Sequence, residues 1–295
     1  MNLKESKNIS YYNRLPLIFF LCCGVTVVIR TVQIFTFIDR ETGFYNGSGI
    51  LMAVLYLLLI IPSVLFAVSS FLSKDTAEIT LRTEKDSLVS VVSCVLSLAF
   101  LYDAFSAFVG SFDSIGSASY GVSAFQSMML SGTIPQFFQS VFALFSAVYF
   151  LIFAKGTIKG KGGASGHKLL AVAPVCWAGF RLIHRFVEQI SYVRVSDLLL
   201  ELVLLALLGM FFMAFAQLMS GVYVKNARWR IVGLGLPCAL VSFTVNLPRL
   251  IYVLTSGTDE LYAKYPFKVC DFVIAIFAVV LITKIISTKV EKANV

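Results

Sequence analysis

Along this chain the apolar residues come in eight unbroken runs of about 20, the length an α-helix needs to cross the hydrocarbon core of a bilayer. The runs fall at residues 15–38, 49–71, 88–109, 137–153, 169–187, 198–219, 231–254 and 269–286. None alternates apolar and polar positions as a membrane barrel strand does. The pattern therefore predicts an all-α, polytopic integral membrane protein of eight transmembrane helices. Connections between the runs are short and leave no stretch for a folded soluble domain.

Two connections stand apart. Residues 155–168 read KGTIKGKGGASGHK, rich in Gly and Lys, and predict a flexible basic cytoplasmic linker. It divides the chain into a first four-helix half, 1–154, and a second, 169–295. An even number of spans per half gives both the same orientation, so the expected arrangement is a parallel 4+4. The third connection, 111–136, is long, nearly uncharged and rich in Ser, Gly and Ala. Residues 120–130 predict a short helix lying on the outer surface, since lipid does not tolerate irregular backbone exposed to it.

Composition excludes a soluble reading: 58% of residues are hydrophobic, 14% are charged and the mean hydropathy is +0.87. Lys and Arg are placed unevenly. Sixteen of the 24 lie in the N-terminal segment, the even-numbered loops and the C-terminal end. The opposite loops hold four, Arg40, Arg194, Lys264 and Lys268. By the positive-inside rule both termini are cytoplasmic. The same bias accounts for the net charge of +8 without a nucleic-acid partner, and it suits anionic lipid at the cytoplasmic face. The first run is too long for a cleaved signal peptide and has no small-residue cleavage site after it. Short outer loops on a single modest chain fit a bacterial plasma membrane.

The remaining charges carry the candidate chemistry. Arg30, Asp103, Arg181, Arg185 and Arg249 fall inside spans one, three, five and seven. Glu201 and Asp271 open spans six and eight, and Glu188 closes span five. Ionisable groups at membrane depth are costly unless they pair or face water, so they mark a pathway or a binding site. Positions three, four and seven apart share a helix face. Trp177, Arg181, His184, Arg185 and Glu188 thus form one stripe on span five; Thr26, Arg30 and Gln33 form another on span one; Ser242, Asn246 and Arg249 a third on span seven. The other faces are apolar, so the stripes are expected to turn toward one another.

Two readings compete. In one, Asp103, Glu201 and Asp271 neutralise three of the arginines, and Glu188 pairs with Arg185 or His184, giving a bundle held by buried ion pairs. In the other, Arg30, Gln33, Asp103, Arg181, His184, Arg185, Asn246 and Arg249 line an outward-facing cavity whose surplus positive charge takes a small anionic or zwitterionic solute, because guanidinium bonds both oxygens of a carboxylate or phosphate. Asp103, Glu188, Glu201 and Asp271 are then proton-coupling or ion-pair candidates. Tyr102, Gln33 and Asn246 are expected to orient the ligand by hydrogen bonds. The function this favours is a permease-like protein; the alternative is a membrane receptor or an accessory subunit.

Enzyme chemistry finds little support. The six cysteines, Cys22, Cys23, Cys94, Cys176, Cys238 and Cys270, lie in or beside spans. Their spacing fits neither an outer disulfide framework nor zinc, and two histidines are too few for a His-based metal site. No metal and no cofactor is expected. A P-loop fails at Lys161, where the second Gly should stand, and HExxH and GxSxG are absent. Phe180-x-x-x-His184 resembles one motif of the CAAX-type intramembrane proteases. That family's paired glutamates have no counterpart, since Glu-Glu occurs nowhere, so its activity is not implied.

Overall fold

The computed structural model describes residues 3–39, 45–72, 86–116, 128, 132–160, 167–187, 195–221, 227–257 and 266–293. These residues form eight long helices: α1 (Leu3–Val32), α2 (Gly49–Leu72), α3 (Ser87–Gly116), α4 (Thr133–Ile158), α5 (Ala173–Val187), α6 (Val195–Ser220), α7 (Ala227–Ser256) and α8 (Val269–Ala293). A π-helical turn, Gln33–Phe37, extends α1, and a 3-10 turn, Leu170–Val172, leads into α5. Each of the eight, α5 together with the 3-10 turn before it, provides a segment long and apolar enough to span a bilayer. The architecture is that of a multi-pass membrane protein, as the run pattern predicts.

Boundaries move where turn chemistry overrides hydropathy. α4 begins at Thr133, ahead of the apolar run at 137, because Gly132 at its N-cap takes a left-handed φ of 73° and Pro135 fits a first helical turn. At its other end α4 continues through Lys155 to Ile158, so the first residues of the expected linker are helical. Lys155 complements the negative end of the helix dipole there. Most of the 120–130 segment, Glu188 and the centre of the linker lie outside the described residues.

Packing sorts the helices into two compact units, Met1–Ile79 with Lys225–Val295, and Thr80–Val224. The first holds α1, α2, α7 and α8, the second α3 to α6. This grouping does not follow the two consecutive halves drawn from the linker, because the linker falls inside the second unit.

In the first unit α7 is the central helix. It packs on α1, α2 and α8, and 83% of its apolar window is buried. Its sequence allows close approach from several sides: at Gly233 an added Cβ would sit 3.2 Å from Ser70 Cβ and 3.4 Å from Ala67 Cα. Small residues at helix crossings are how membrane bundles gain van der Waals contact when burial from water supplies no drive. Replacing Gly233 with Leu should push α2 off α7 and lower unfolding stability by about 1–3 kcal/mol. A denaturant or thermal melt in matched detergent reads this, and an unchanged midpoint would refute the close crossing.

The second unit packs in chain order, α3 on α4, α4 on α5 and α5 on α6. α3 and α4 run antiparallel, clipped by two buried hydroxyls: Ser90 donates to the Ala154 carbonyl at 2.9 Å and Ser97 to the Ala147 carbonyl at 2.7 Å. Opposite them α4 shows alanines at 143, 147 and 154, all buried. Aromatic side chains fill the rest. Phe100 stacks on Phe150 at 5.6 Å, and Trp177 stands edge-on to Phe100 at 5.0 Å. Phe212 and Phe215 close the cluster from α6. This core sets the position of Trp177, and through it the polar groups described next.

Candidate functional site

The candidate residues divide between the two units. Arg30, Gln33, Asn246, Arg249 and Asp271 belong to the first; Asp103, Arg181, His184, Arg185 and Glu201 belong to the second.

In the first unit, the α1 stripe of Thr26, Arg30 and Gln33 is buried, with Arg30 only 3% exposed. Arg30 Nη1 donates to Gln33 Oε1 at 2.9 Å, and Gln33 Nε2 donates to the Leu51 carbonyl at 3.3 Å. The π-helical turn begins at Gln33. Such turns insert one extra residue into the helical repeat and are frequent at functional sites. Here the turn begins three residues after Arg30 and leads the chain toward an antiparallel bridge between Ile38 and Tyr45. Tyr45 packs against the buried cluster of Ile34, Ile38 and Tyr252. Its phenol is pushed above the ordinary value by burial and drawn back by the Arg30 charge, so the guanidinium is felt in the connection between α1 and α2.

The α7 stripe turns the other way. Thr26 Oγ1 meets Thr244 Oγ1 at 2.9 Å, and at 100° per residue Thr244 lies on the face of α7 opposite Ser242, Asn246 and Arg249. Those three engage α8 and the chain just before it. Ser242 donates to the Asp271 carbonyl at 2.8 Å, Asn246 Oδ1 accepts from the Lys268 backbone N–H at 3.3 Å, and Arg249 Nη1 donates to the Pro266 carbonyl at 3.2 Å. Asn246 Nδ2 in turn donates to the Ser242 carbonyl at 3.1 Å. The expectation that the stripes of spans one and seven face each other is corrected accordingly. The unpaired N–H groups at the start of α8 need acceptors, and Asn246 supplies one. Asp271 is buried in the first turn of α8, where a carboxylate complements the helix dipole.

In the second unit the α5 stripe faces inward, as its spacing predicts: Trp177 and Arg181 are buried, His184 and Arg185 half-buried. Arg181 lies with its guanidinium carbon 5.1 Å from the centre of the Trp177 ring. Asp103 was expected to pair with an arginine. Its Oδ2 instead accepts from the Trp177 indole N–H at 2.7 Å and from Gln139 Nε2 at 3.0 Å. Trp177 thus holds the acid at its edge and the guanidinium on its face. Arg185 pairs with Glu201, Nη2 to Oε2 at 2.9 Å, a pair across α5 and α6. His184 packs against Gly132, where an added Cβ would come within 3.2 Å of Cδ2. Tyr102 is exposed and does not join the polar cluster of Asp103.

Gln139 and the indole donor are what sequence reasoning missed. A signal existed for Gln139: it is a buried amide inside a span, and Gln136 lies one turn before it. Comparison with protein-family models, with curated proteins and with solved structures returned no match for this chain.

Proposed function

We propose that this multi-pass membrane protein is a permease for a small anionic or zwitterionic solute, bound from an outward-facing charged cavity. The observation that carries the reading is the burial of three guanidinium groups within membrane-spanning helices, Arg30, Arg181 and Arg249. Arg30 is held by an amide oxygen and Arg249 by a backbone carbonyl; both are under 5% exposed. The cation bias of the loops supports cytoplasmic termini, anionic lipid at that face and a bacterial plasma membrane as the setting.

For Arg185 the ion pair with Glu201 favours the structural reading instead. If that reading extended to every arginine, the protein would be a receptor or an accessory subunit rather than a carrier. Flux decides between them. Proteoliposomes containing the full chain should take up at least one of a panel of labelled carboxylates, phosphates and amino acids faster than protein-free liposomes. Arg30→Lys should cut that flux about tenfold or more, since lysine cannot reproduce the two-oxygen fork. Water access is tested separately by His184→Cys in a cysteine-free background. Rapid reaction with an impermeant thiol reagent is expected; no reaction, with Asp259→Cys labelled as control, would count against water access along the polar stripe of α5.

A further inference from the structure

The seam between α1 and α7 has a floor and a cap. Positions four apart share a helix face. On α1 that face carries Thr26, Arg30, Ile34 and, past the π-helical turn, Ile38; on α7 it carries Thr244, Pro248 and Tyr252. Thr26 and Thr244 meet through their hydroxyls at 2.9 Å. The same number of residues further along both helices, Ile34 and Tyr252 join Ile38 in one buried apolar cluster. Tyr45 packs against it, and the Phe35 ring lies 5.3 Å from that of Tyr252. Arg30 stands on α1 between these two contacts and is buried. On the orientation proposed above, the cluster is the outer end of the seam, so a solute arriving from outside meets it before Arg30. Both helices are irregular at the base of this cap. The π-helical turn of α1 begins at Gln33, and such a turn interrupts the regular helical repeat. Pro248, inside α7, offers no N–H to the Thr244 carbonyl, and its ring crowds that carbonyl. Prolines and π-helical turns are where helices bend sharply.

We propose that Ile34, Ile38 and Tyr252 form an outer gate: α1 bends at its π-helical turn, α7 bends at Pro248, the apolar cluster parts, and the seam opens down to Arg30 with the Thr26–Thr244 contact as its floor. The inference rests on the solute-binding reading above and deepens it, since it gives the route by which a solute reaches a buried arginine. Within a bilayer an apolar cluster is held by van der Waals fit, because leaving water supplies no drive there. Taking away the largest ring of the cap should therefore leave the seam open more often, and restoring the N–H that Pro248 lacks should leave it open less often.

The test uses the full chain in intact cells, with its six native cysteines replaced and Thr26→Cys as reporter. A membrane-impermeant methanethiosulfonate is added outside, and modification of the reporter is read by mass spectrometry. Slow modification is expected. Tyr252→Ala should speed it about tenfold, and Pro248→Ala should slow it several-fold. A short reducible linker between Ile34→Cys and Tyr252→Cys should stop it, and reductant should restore it. Leu240→Cys, buried one helical turn beneath the floor, should stay unmodified in every background. If it reacts with Tyr252→Ala, that variant has loosened the fold, and Pro248→Ala with the linked pair decides. Modification that continues undiminished across the linked cap overturns the proposal. So does a reporter that never reacts, or a rate unmoved by both Tyr252→Ala and Pro248→Ala. Flux separates this gate from the permease reading. Gated modification without solute uptake keeps the gate and removes the permease; uptake that persists across the linked cap removes the gate and keeps the permease.

Discussion

Trp177→Ala should destabilise the protein by about 3–5 kcal/mol, the range for removing a fully buried tryptophan. The ring is wholly enclosed, set edge-on to Phe100 at 5.0 Å and to Phe212 at 6.3 Å, and its loss leaves a void that the stacked rings around it have little freedom to fill. The void is only part of the effect. The indole N–H is one of two donors on Asp103, and the ring face carries Arg181. Trp177→Phe separates the contributions: it keeps most of the packing and removes the donor, and should cost about 1–3 kcal/mol. Unfolding in a fixed detergent or lipid, followed by circular dichroism, measures both. If Phe proves as damaging as Ala, the donor to Asp103 outweighs the aromatic core; if Ala is tolerated, the core is not where the packing places it.

Why the spans were legible and the pairings were not follows from the same residues. An apolar run of bilayer length has one stable solution in lipid, a helix that satisfies its own backbone, so eight runs yield eight helices with errors only at their ends. Facing is legible where a stripe is narrow, as on α5, whose Trp177 and Arg181 point inward. It fails on α7, which is buried nearly all round, so that its polar residues have no single inward direction. Partner choice is less legible still. A sequence shows that Asp103 and four arginines lie at similar depth, but opposite charge does not by itself select a pair. A neutral indole N–H and an amide already placed by the α3–α4 register reach the carboxylate first. Long-range grouping has no sequence signal of the kind used: the linker suggested consecutive halves, whereas α7 and α8 pack with α1 and α2, a choice made by side-chain fit at positions such as Gly233.

Arg185 and Glu201 should behave as a coupled pair in a double-mutant cycle, and this decides how far the structural reading of the charges extends. Glu201 is almost wholly buried, with 7% of its side chain exposed, while Arg185 retains 22%. Arg185→Met takes the guanidinium away from a buried carboxylate and should cost about 3–5 kcal/mol. Glu201→Leu leaves a guanidinium whose long stem can carry it toward the polar interface, so its cost should be smaller, about 2–3 kcal/mol. With both replaced, no charge is left to desolvate, and stability should return to within about 1 kcal/mol of the parent. That recovery would make the pair a device for matching α5 to α6 rather than a source of net stability. Flux by the double variant then carries the functional consequence. Retained transport places Arg185 and Glu201 outside the solute path and confines that path to the remaining arginines. Its loss in a stable double variant means that the pair opens and closes during transport.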